Sequence, residues 1–307
     1  MKILHIITSL GNGGAENTLL KICENKKPNH IHHVISLTKN NQLKKKFIIS
    51  GCKIYYFNFK KTIFNLISIY KIIRIIKKNK YEYINCWMYH ACLISVIINP
   101  FFKKKIYWLI RHGKFDIKYT KITTILISKL LSIFSNIPKK IIFCSNESAK
   151  IHLISGYDNS KSKVIYNGID VYKFKKKNKI KNYFKSKYQI NKNTFIIGAV
   201  GRNSPQKNYD QIKRISVRRD IRNLDLIFVI IGKGFKSRKY ENIIFSGNKN
   251  NIEHYYPFFD ILVSSSSYGE SFPNVIAEAM CCGLPVASSK IGAAEYIIGK
   301  KKYLFDI

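Results

Sequence analysis

The chain has 307 residues, 46% hydrophobic and 13% aromatic, which suits two ordinary domains with full cores and excludes a disordered or fibrous segment. Its 54 Lys and Arg against 17 Asp and Glu leave a net charge of +37, divided as 29 against 7 over residues 1–172 and 25 against 10 over 173–307, so the charge is spread rather than gathered in a tail; such a balance admits nucleic acid, an anionic membrane surface or phosphorylated substrates as partners. Seven cysteines, odd in number and without a C-x2-C pair, point to a reducing compartment and argue against a structural zinc or a disulfide framework.

Ile3 to Thr8 is almost wholly apolar, as a parallel strand buried on both faces should be. Met1 to Leu10 has too short an apolar core for a signal peptide and reads as this strand. Gly11-Asn12-Gly13-Gly14 follows, then helical spacing over Ala15 to Asn25. Strand, glycine-rich loop and helix make a cradle for an anion, because glycine permits close backbone approach and a helix start offers N–H groups. His33 to Leu37 and Lys53 to Phe57 are the next strands. Between Thr62 and Lys78 the polar residues Asn65, Ser68, Lys71, Arg74 and Lys78 recur every three to four positions, which predicts a helix with a wide apolar face and a basic stripe.

Tyr83 to Cys86 leads as a strand into Trp87-Met88-Tyr89-His90-Ala91, and Tyr107 to Ile110 leads into Arg111-His112-Gly113 at its carboxyl end, where open α/β sheets bind ligands. Ile141 to Cys144 is a strand followed by a helix over Glu147 to Ser155. Arg74 and Lys129 interrupt the longest apolar runs, so no stretch reaches the roughly 18 residues of a membrane span. The charged piece from Lys173 to Lys187 reads as a domain junction.

Phe195 to Gly201 opens the second half, with Arg202 and Lys207 five apart on the loop beyond it and a helix from about Tyr209. Two such cations can converge on a diphosphate, Arg in bidentate fashion and Lys as a point charge. Leu226 to Ile231 is the next strand. Asp260 to Val263 then meets a Ser/Gly loop, Pro273 opens a helix that Gly283 and Pro285 close, and Pro285 to Ser288 starts another strand. In that helix Val275, Ile276, Ala279 and Met280 share one face, with Asn274, Glu278 and Cys281 opposite. Glu270 and Glu278 would lie roughly 12 Å apart at helical rise, beside the N–H groups of a helix start.

These runs resemble a known family. Glu270-x7-Glu278 with E-A-M-x-C-G-L-P-V from Glu278 to Val286, G-G-A-E at 13–16, W-x-Y-H-A at 87–91 and V-I-Y-N-G-I-D at 164–170 are similar to the signatures of retaining glycosyltransferases of family 4, of the surface-polysaccharide and lipopolysaccharide type. The resemblance implies an α/β GT-B fold, two Rossmann-like domains with parallel sheets facing across a cleft: an acceptor-binding domain over 1–172 and a nucleotide-sugar donor-binding domain over 173–307. It implies metal-independent transfer of a sugar from a nucleotide-diphosphate donor, most often UDP-linked, to a glycan or lipid-linked acceptor, with no cofactor. Glu270 and His112 fall near the transferred sugar. The donor falls to Arg202, Lys207, Glu278, Ser271, Phe272, Asn274, Gly13 and Gly14, and the acceptor side to Trp87, His90 and Arg111. Glu253 to Phe259 is a further candidate for contacts to the base.

Two positions depart from the family pattern, Ser271 where many relatives have glycine and Cys92 where an acidic or amide residue is usual. About 25 residues between Gly234 and Asp260 imply that a helix of the second domain is reduced or missing. Relatives continue past the point that Tyr303 to Asp306 resembles, so the second domain is expected to be shortened, with an apolar sheet face uncovered. The implied place of work is the cytoplasm, with peripheral attachment to the cytoplasmic face of the inner membrane as the further option. A nucleotide-sugar 2-epimerase of the same fold and a non-catalytic nucleotide-sugar-binding paralogue remain alternatives; a nucleic-acid-binding protein lacks any aromatic-basic RNA motif or zinc spacing here.

Overall fold

The structure, a computed structural model, describes residues 1–59, 66–101, 105–176 and 181–307, and these form two compact units, Met1–Tyr166 and Asn167–Ile307. The stretch from Thr62 to Asn65 of the expected helix, and residues 177–180 of the expected junction, lie outside the described residues.

In the first unit, seven strands form one parallel sheet: β1 (Lys2–Ile7), β2 (Ile31–Ser36), β3 (Lys53–Tyr56), β4 (Tyr83–Trp87), β5 (Lys105–Ile110), β6 (Lys140–Phe143) and β7 (Ser162–Val164), in the order β3-β2-β1-β4-β5-β6-β7. Parallel strands need crossovers, and helices supply them: α1 (Gly14–Glu24), α2 (Lys44–Ile49), α3 (Leu66–Asn79), α4 (Met88–Ile98), α5 (Ile122–Ile133) and α6 (Asn146–Ile154). Alternate strand residues feed apolar clusters on opposite faces, Leu4, Ile6 and Ile84 on one side and Ile7, Val34 and Trp87 on the other. That double burial is why the strands are nearly continuous apolar runs. The strand order reverses at β1 and β4, so their carboxyl-end loops, Ser9 to Gly13 and the turn into Met88, stand side by side at the switch point where such sheets hold ligands.

The second unit holds β8 (Phe195–Val200), β9 (Leu226–Ile231), β10 (Arg238–Tyr240), β11 (Ile243–Phe245), β12 (Ile261–Ser264), β13 (Val286–Ser289) and β14 (Leu304–Phe305), in the order β10-β11-β9-β8-β12-β13-β14. All neighbours are parallel except β10 with β11. Its helices are α7 (Lys181–Lys187), α8 (Tyr209–Ser216), α9 (Arg219–Arg222), α10 (Asn274–Cys281) and α11 (Ala294–Ile298). Between Gly234 and Asp260 the described chain makes the β10–β11 pair and two single-turn 3-10 helices, with no α-helix. Here the switch point lies between β8 and β12, which brings the loop of Arg202 and Lys207 beside the loop of Glu270.

Two helices differ from the periodicity reading. On α10, Ile276 and Ala279 are buried as expected, but Met280 is exposed and Cys282 takes the inner position, because the helix ends there in a left-handed Gly283. Leu284 N–H donates to Ala279 O and Gly283 N–H to Met280 O, the paired bonds of a Schellman stop that tucks Leu284 inward. On α3 the polar stripe is offset: Ser68 is buried while Leu66, Ile67 and Tyr70 stand exposed beside Lys71, Arg74 and Lys78.

Candidate donor and acceptor sites

Two loops that leave neighbouring strand ends are tied together in the second unit. Ser265 Oγ donates to Lys207 O at 2.8 Å and Ser267 N–H donates to Gln206 O at 2.9 Å, which fixes the 3-10 turn Pro205–Lys207 against the Ser/Gly loop. On this frame Lys207 Nζ donates to Glu270 Oε1 at 2.6 Å, with side chains only 15% and 13% exposed. Ser266 Oγ at 3.3 Å and Gln206 Nε2 at 3.4 Å donate to the same oxygen, and Arg202 donates to Gln206 Oε1 at 2.9 Å. Arg202, Lys207 and Glu270, chosen from spacing, are thus one network joined through Gln206. A pair this sheltered loses on the order of 1–3 kcal/mol when one partner is removed and the other is left without its hydrogen bond.

The backbone after Glu270 is held from below by Gly292. It has φ +55°, and a Cβ there would stand 2.6 Å from the carbonyl oxygens of both Glu270 and Ser271, so only glycine allows this approach. Ala293 N–H donates to Ser271 O at 2.8 Å and completes the support. Ser271 is buried and Phe272 half-buried just before α10, whose N-terminus carries no capping side chain. Ile276 N–H already donates to Pro273 O at 3.0 Å, so the N–H groups of Asn274 and Val275 are the ones outside the helix ladder that favour an anion. Asn274 Oδ1 accepts from Asn167 Nδ2 at 2.8 Å, so the N-G-I-D run abuts the start of α10. Glu278 Oε2 accepts from the Tyr256 hydroxyl at 3.0 Å. Burial first, and then the Glu278 carboxylate, push the Tyr256 pKa well above its usual range, so it stays a donor that aims Glu278.

The expected contacts of Glu253 to Phe259 with a base are corrected in part. Tyr256, Phe258 and Phe259 belong to the buried apolar cluster of the second unit, and Glu253 is buried near Lys173, 3.7 Å away.

In the first unit, Gly13 stands at the N-cap of α1 with the Glu16 carboxylate folded over it, where a Cβ would lie 2.4 Å from Glu16 Oε2. Ser9 Oγ donates to Glu16 Oε1 at 3.0 Å and fixes that carboxylate, while nothing lies within 4 Å of a Cβ on Gly14. The loop therefore keeps open space at Gly14. At the end of β5, His112 Nδ1 donates to Gly113 O at 2.9 Å and the ring stacks on Phe115 with centroids 4.8 Å apart. In the neutral ring this leaves Nε2 as an acceptor. The Arg111 guanidinium lies over Trp87, 5.2 Å from the ring centroid. Burial holds the His90 pKa below its ordinary value, with Lys121 adding to the effect.

Trp87 itself cannot be a contact residue in this structure: it is fully buried and its Nε1–H donates to His5 at 3.3 Å. The chain turns sharply after it. Met88 has φ +66°, a left-handed conformation that an unbranched side chain adopts at a cost, and it carries the backbone from β4 straight into α4.

Residues 12–173, more than half of the chain, match the sequence model of Glycosyltransferase Family 4. The chain belongs to glycosyltransferase family 4. Residues 180–307 match a second description, Glycosyl transferases group 1. Over 319 aligned positions the chain is 26% identical to an uncharacterized 41.2 kDa protein in the cps region of Klebsiella pneumoniae, covering 97% of this chain and 83% of that one. It is 27% identical over 251 positions to UDP-Gal:alpha-D-GlcNAc-diphosphoundecaprenol alpha-1,3-galactosyltransferase of Escherichia coli, covering 76% and 63%. Among solved structures, Anabaena Alr3699/HepE in complex with UDP-glucose superposes with a TM-score of 0.82 at 20% identity, covering all of this chain and 85% of that one. The fold is GT-B, with two Rossmann-like domains.

Within this family-4 chain, sequence reasoning missed Gln206, Ser266 and Gly292, and gave Tyr256, within Glu253 to Phe259, to the base where the structure sets it against Glu278. Gln206 and Ser266 join the network through side chains 64 and 4 positions from Glu270. The glycine after β13, in Ile291-Gly292-Ala293-Ala294, was a visible signal for a close approach.

Proposed function

We propose that the chain transfers a hexose from a nucleotide-diphosphate donor, UDP-linked, to a glycan or lipid-linked acceptor with retention at the anomeric carbon, in lipopolysaccharide-type surface-polysaccharide assembly. The observation that carries the reading is the network of Arg202, Gln206, Lys207 and Glu270 placed next to the uncapped start of α10. The names of the Escherichia coli relative and of the Anabaena complex support the donor class.

Bond cleavage leaves a nucleoside diphosphate, and the negative charge that grows on it must be met. The Lys207 ammonium has three N–H donors, of which Glu270 takes one, so it can hold the carboxylate and a phosphate oxygen together. Arg202 adds a second cation and α10 its N–H groups. Groups fixed before the reaction stabilise developing charge without reorganising, which is usually the largest catalytic effect. In this reading the cations and the helix terminus perform the neutralisation and no metal takes part. Glu270 accepts hydroxyls of the transferred sugar and Glu278 those of the ribose, with Tyr256 holding Glu278 in place. His112 is assigned to the transferred sugar, His90 and Arg111 to the acceptor side.

A thermal-shift panel of UDP, GDP, ADP and CMP tests the donor class. A ligand at 100 times its Kd adds about 2.7 kcal/mol of stability, which is readily seen. UDP is expected to give the largest shift, and Lys207→Ala, still folded, to weaken UDP binding by about 1.5–3 kcal/mol. Equal shifts from all four nucleotides, or an unchanged affinity in the folded variant, would refute the assignment.

A further inference from the structure

The glycine-rich loop after β1 has the backbone form of an anion cradle and the opposite charge. Glu16, in the first turn of α1, folds its carboxylate back over Gly13, and Ser9 Oγ donates to Glu16 Oε1 at 3.0 Å. Ser9 Oγ also accepts from Gly11 N–H at 3.4 Å, so one hydroxyl fixes both the loop and the carboxylate. Among the described residues this is not the back-bond of a capping box, in which Glu16 would accept from the Gly13 N–H. The carboxylate is half-buried, Oε2 lies over Gly13, and nothing stands within 4 Å of a Cβ on the neighbouring Gly14.

The rest of the loop is neutral and held in place. Asn17 Nδ2 donates to Asn12 Oδ1 and to Gly13 O, both at 2.8 Å, and Leu10 N–H donates to Asn40 O at 2.8 Å. On this frame the G-G-A-E run has a steric meaning. A Cβ at Gly13 would stand 2.4 Å from Glu16 Oε2, so glycine there leaves room for the carboxylate three positions on.

The two switch points therefore carry opposite chemistry. The second has Arg202, Lys207 and the N-terminus of α10; the loop of the first has no Lys or Arg over residues 3–20, in a chain with 54 of them. The positive end of α1 already faces a carboxylate. A phosphate at this loop would meet a like charge, whereas a sugar hydroxyl donates to a carboxylate in a charge-assisted bond, roughly twice as strong as a neutral one.

We propose that Glu16 reads the acceptor: its carboxylate, aimed across Gly13 by Ser9, accepts a hydroxyl of the acceptor's sugar ring, and the loop over 11–14 holds that neutral ring in place of the donor's diphosphate. The acceptor then meets this loop through a sugar and not through a lipid phosphate. Ser9 acts through Glu16 as a positioning residue, and Gly13 by leaving it room. The assignment rests on the transfer reading above. The bond is a binding contact, kept alike in ground state and transition state, so its loss raises the acceptor KM and leaves kcat.

The experiment uses the full chain, isotope-labelled at glycine nitrogen and titrated with inorganic phosphate and with neutral octyl glycosides of glucose, galactose and N-acetylglucosamine. The Gly13 and Gly14 amide signals should move with at least one glycoside and remain in place with phosphate. With the responding glycoside as acceptor and a UDP-hexose as donor, Glu16→Gln should raise the acceptor KM about tenfold and Ser9→Ala about threefold, with kcat and the calorimetric UDP affinity within about twofold of wild type. Gly13→Ala, which displaces the carboxylate without removing it, should act like Glu16→Gln. The proposal is overturned if phosphate moves the two signals, if no glycoside moves them, if Glu16→Gln keeps the wild-type acceptor KM, or if the UDP affinity of the folded variants leaves that range. A wild-type chain that binds no UDP would undo the donor reading instead, and the glycine signals decide this inference in either case.

Discussion

At the scale of single residues, the donor side shows what a sequence can and cannot announce. Arg202, Lys207 and Glu270 were legible because loops at strand ends concentrate charged side chains in short runs, and the structure joins them within hydrogen-bond range. Trp87 was misread because a motif says that a residue matters without saying which way it faces; its indole supports the sheet and Arg111 instead of meeting solvent. Tyr209 gives a prediction of definite sign. Its ring is buried at the start of α8 and its hydroxyl has no hydrogen-bond partner, while burial and the Glu270 charge push its pKa up. A buried polar atom left unpaired costs about 1–3 kcal/mol. Tyr209→Phe removes that atom and keeps the ring, so thermal melting should show a higher Tm. A lower Tm would mean that the hydroxyl has a partner in solution.

At the scale of elements, strands were easier to read than helices. A strand covered on both faces is apolar along its length, as β8 and β9 are throughout and β1 is apart from Lys2 at its start and the buried His5. The helix α4, MYHACLISVII, is apolar all round and sits against β4, β5 and α5, so no polar stripe marks its period. Its place is fixed by long-range contacts that sequence spacing does not reveal. One of these carries a pH dependence: the Tyr89 hydroxyl of α4 donates to His152 Nε2 of α6 at 2.8 Å, and His152 Nδ1 donates to Ser148 O at 2.7 Å. Both ring nitrogens are used by the neutral form, and burial, despite the Ser148 bond, pushes the His152 pKa down to about 4. The unfolded chain takes up this proton near pH 6.5 and the folded one only near 4, so the stabilisation is complete above 6.5 and is lost as the pH falls toward 4. The loss is on the order of 3 kcal/mol at the lower end. Buried His5, His32 and His33 shift the same way and share the acid loss, so urea unfolding across this range should show a slope that His152→Gln, which retains a donor and an acceptor, reduces by its own share. The same slope in the variant would assign the acid sensitivity to other groups.

At the scale of the whole molecule, a charge of +37 on 307 residues cannot be consumed by internal pairing, because the chain has only 17 acidic residues to meet 54 basic ones. Where cations stand next to exposed apolar side chains, the combination suits an anionic lipid surface, which supplies both phosphate and hydrocarbon. The helix α3 is such a place. Leu66, Ile67 and Tyr70 are 75%, 69% and 61% exposed, Lys71, Arg74 and Lys78 are exposed beside them, and a groove of about 1010 Å³ between α3 and the edge strand β3 adds Lys53, Tyr55 and Phe57. Among the described residues no helix is long and apolar enough to cross a membrane, so any attachment through α3 lies on the surface. The chain should therefore sediment with vesicles that contain phosphatidylglycerol and much less with neutral ones. Basic residues near such a surface contribute about 1 kcal/mol each, so Lys71→Gln with Arg74→Gln should weaken binding by about 2 kcal/mol, roughly 30-fold. Salt separates the two contributions. At about 1 M the screening length falls to about 3 Å and the charge attraction is lost, while whatever Leu66 and Ile67 add by burial persists. Substituting those two with serine should remove the salt-resistant remainder and leave the low-salt binding weakened but present. Equal sedimentation with neutral and anionic vesicles would show that the charge on α3 serves solubility alone.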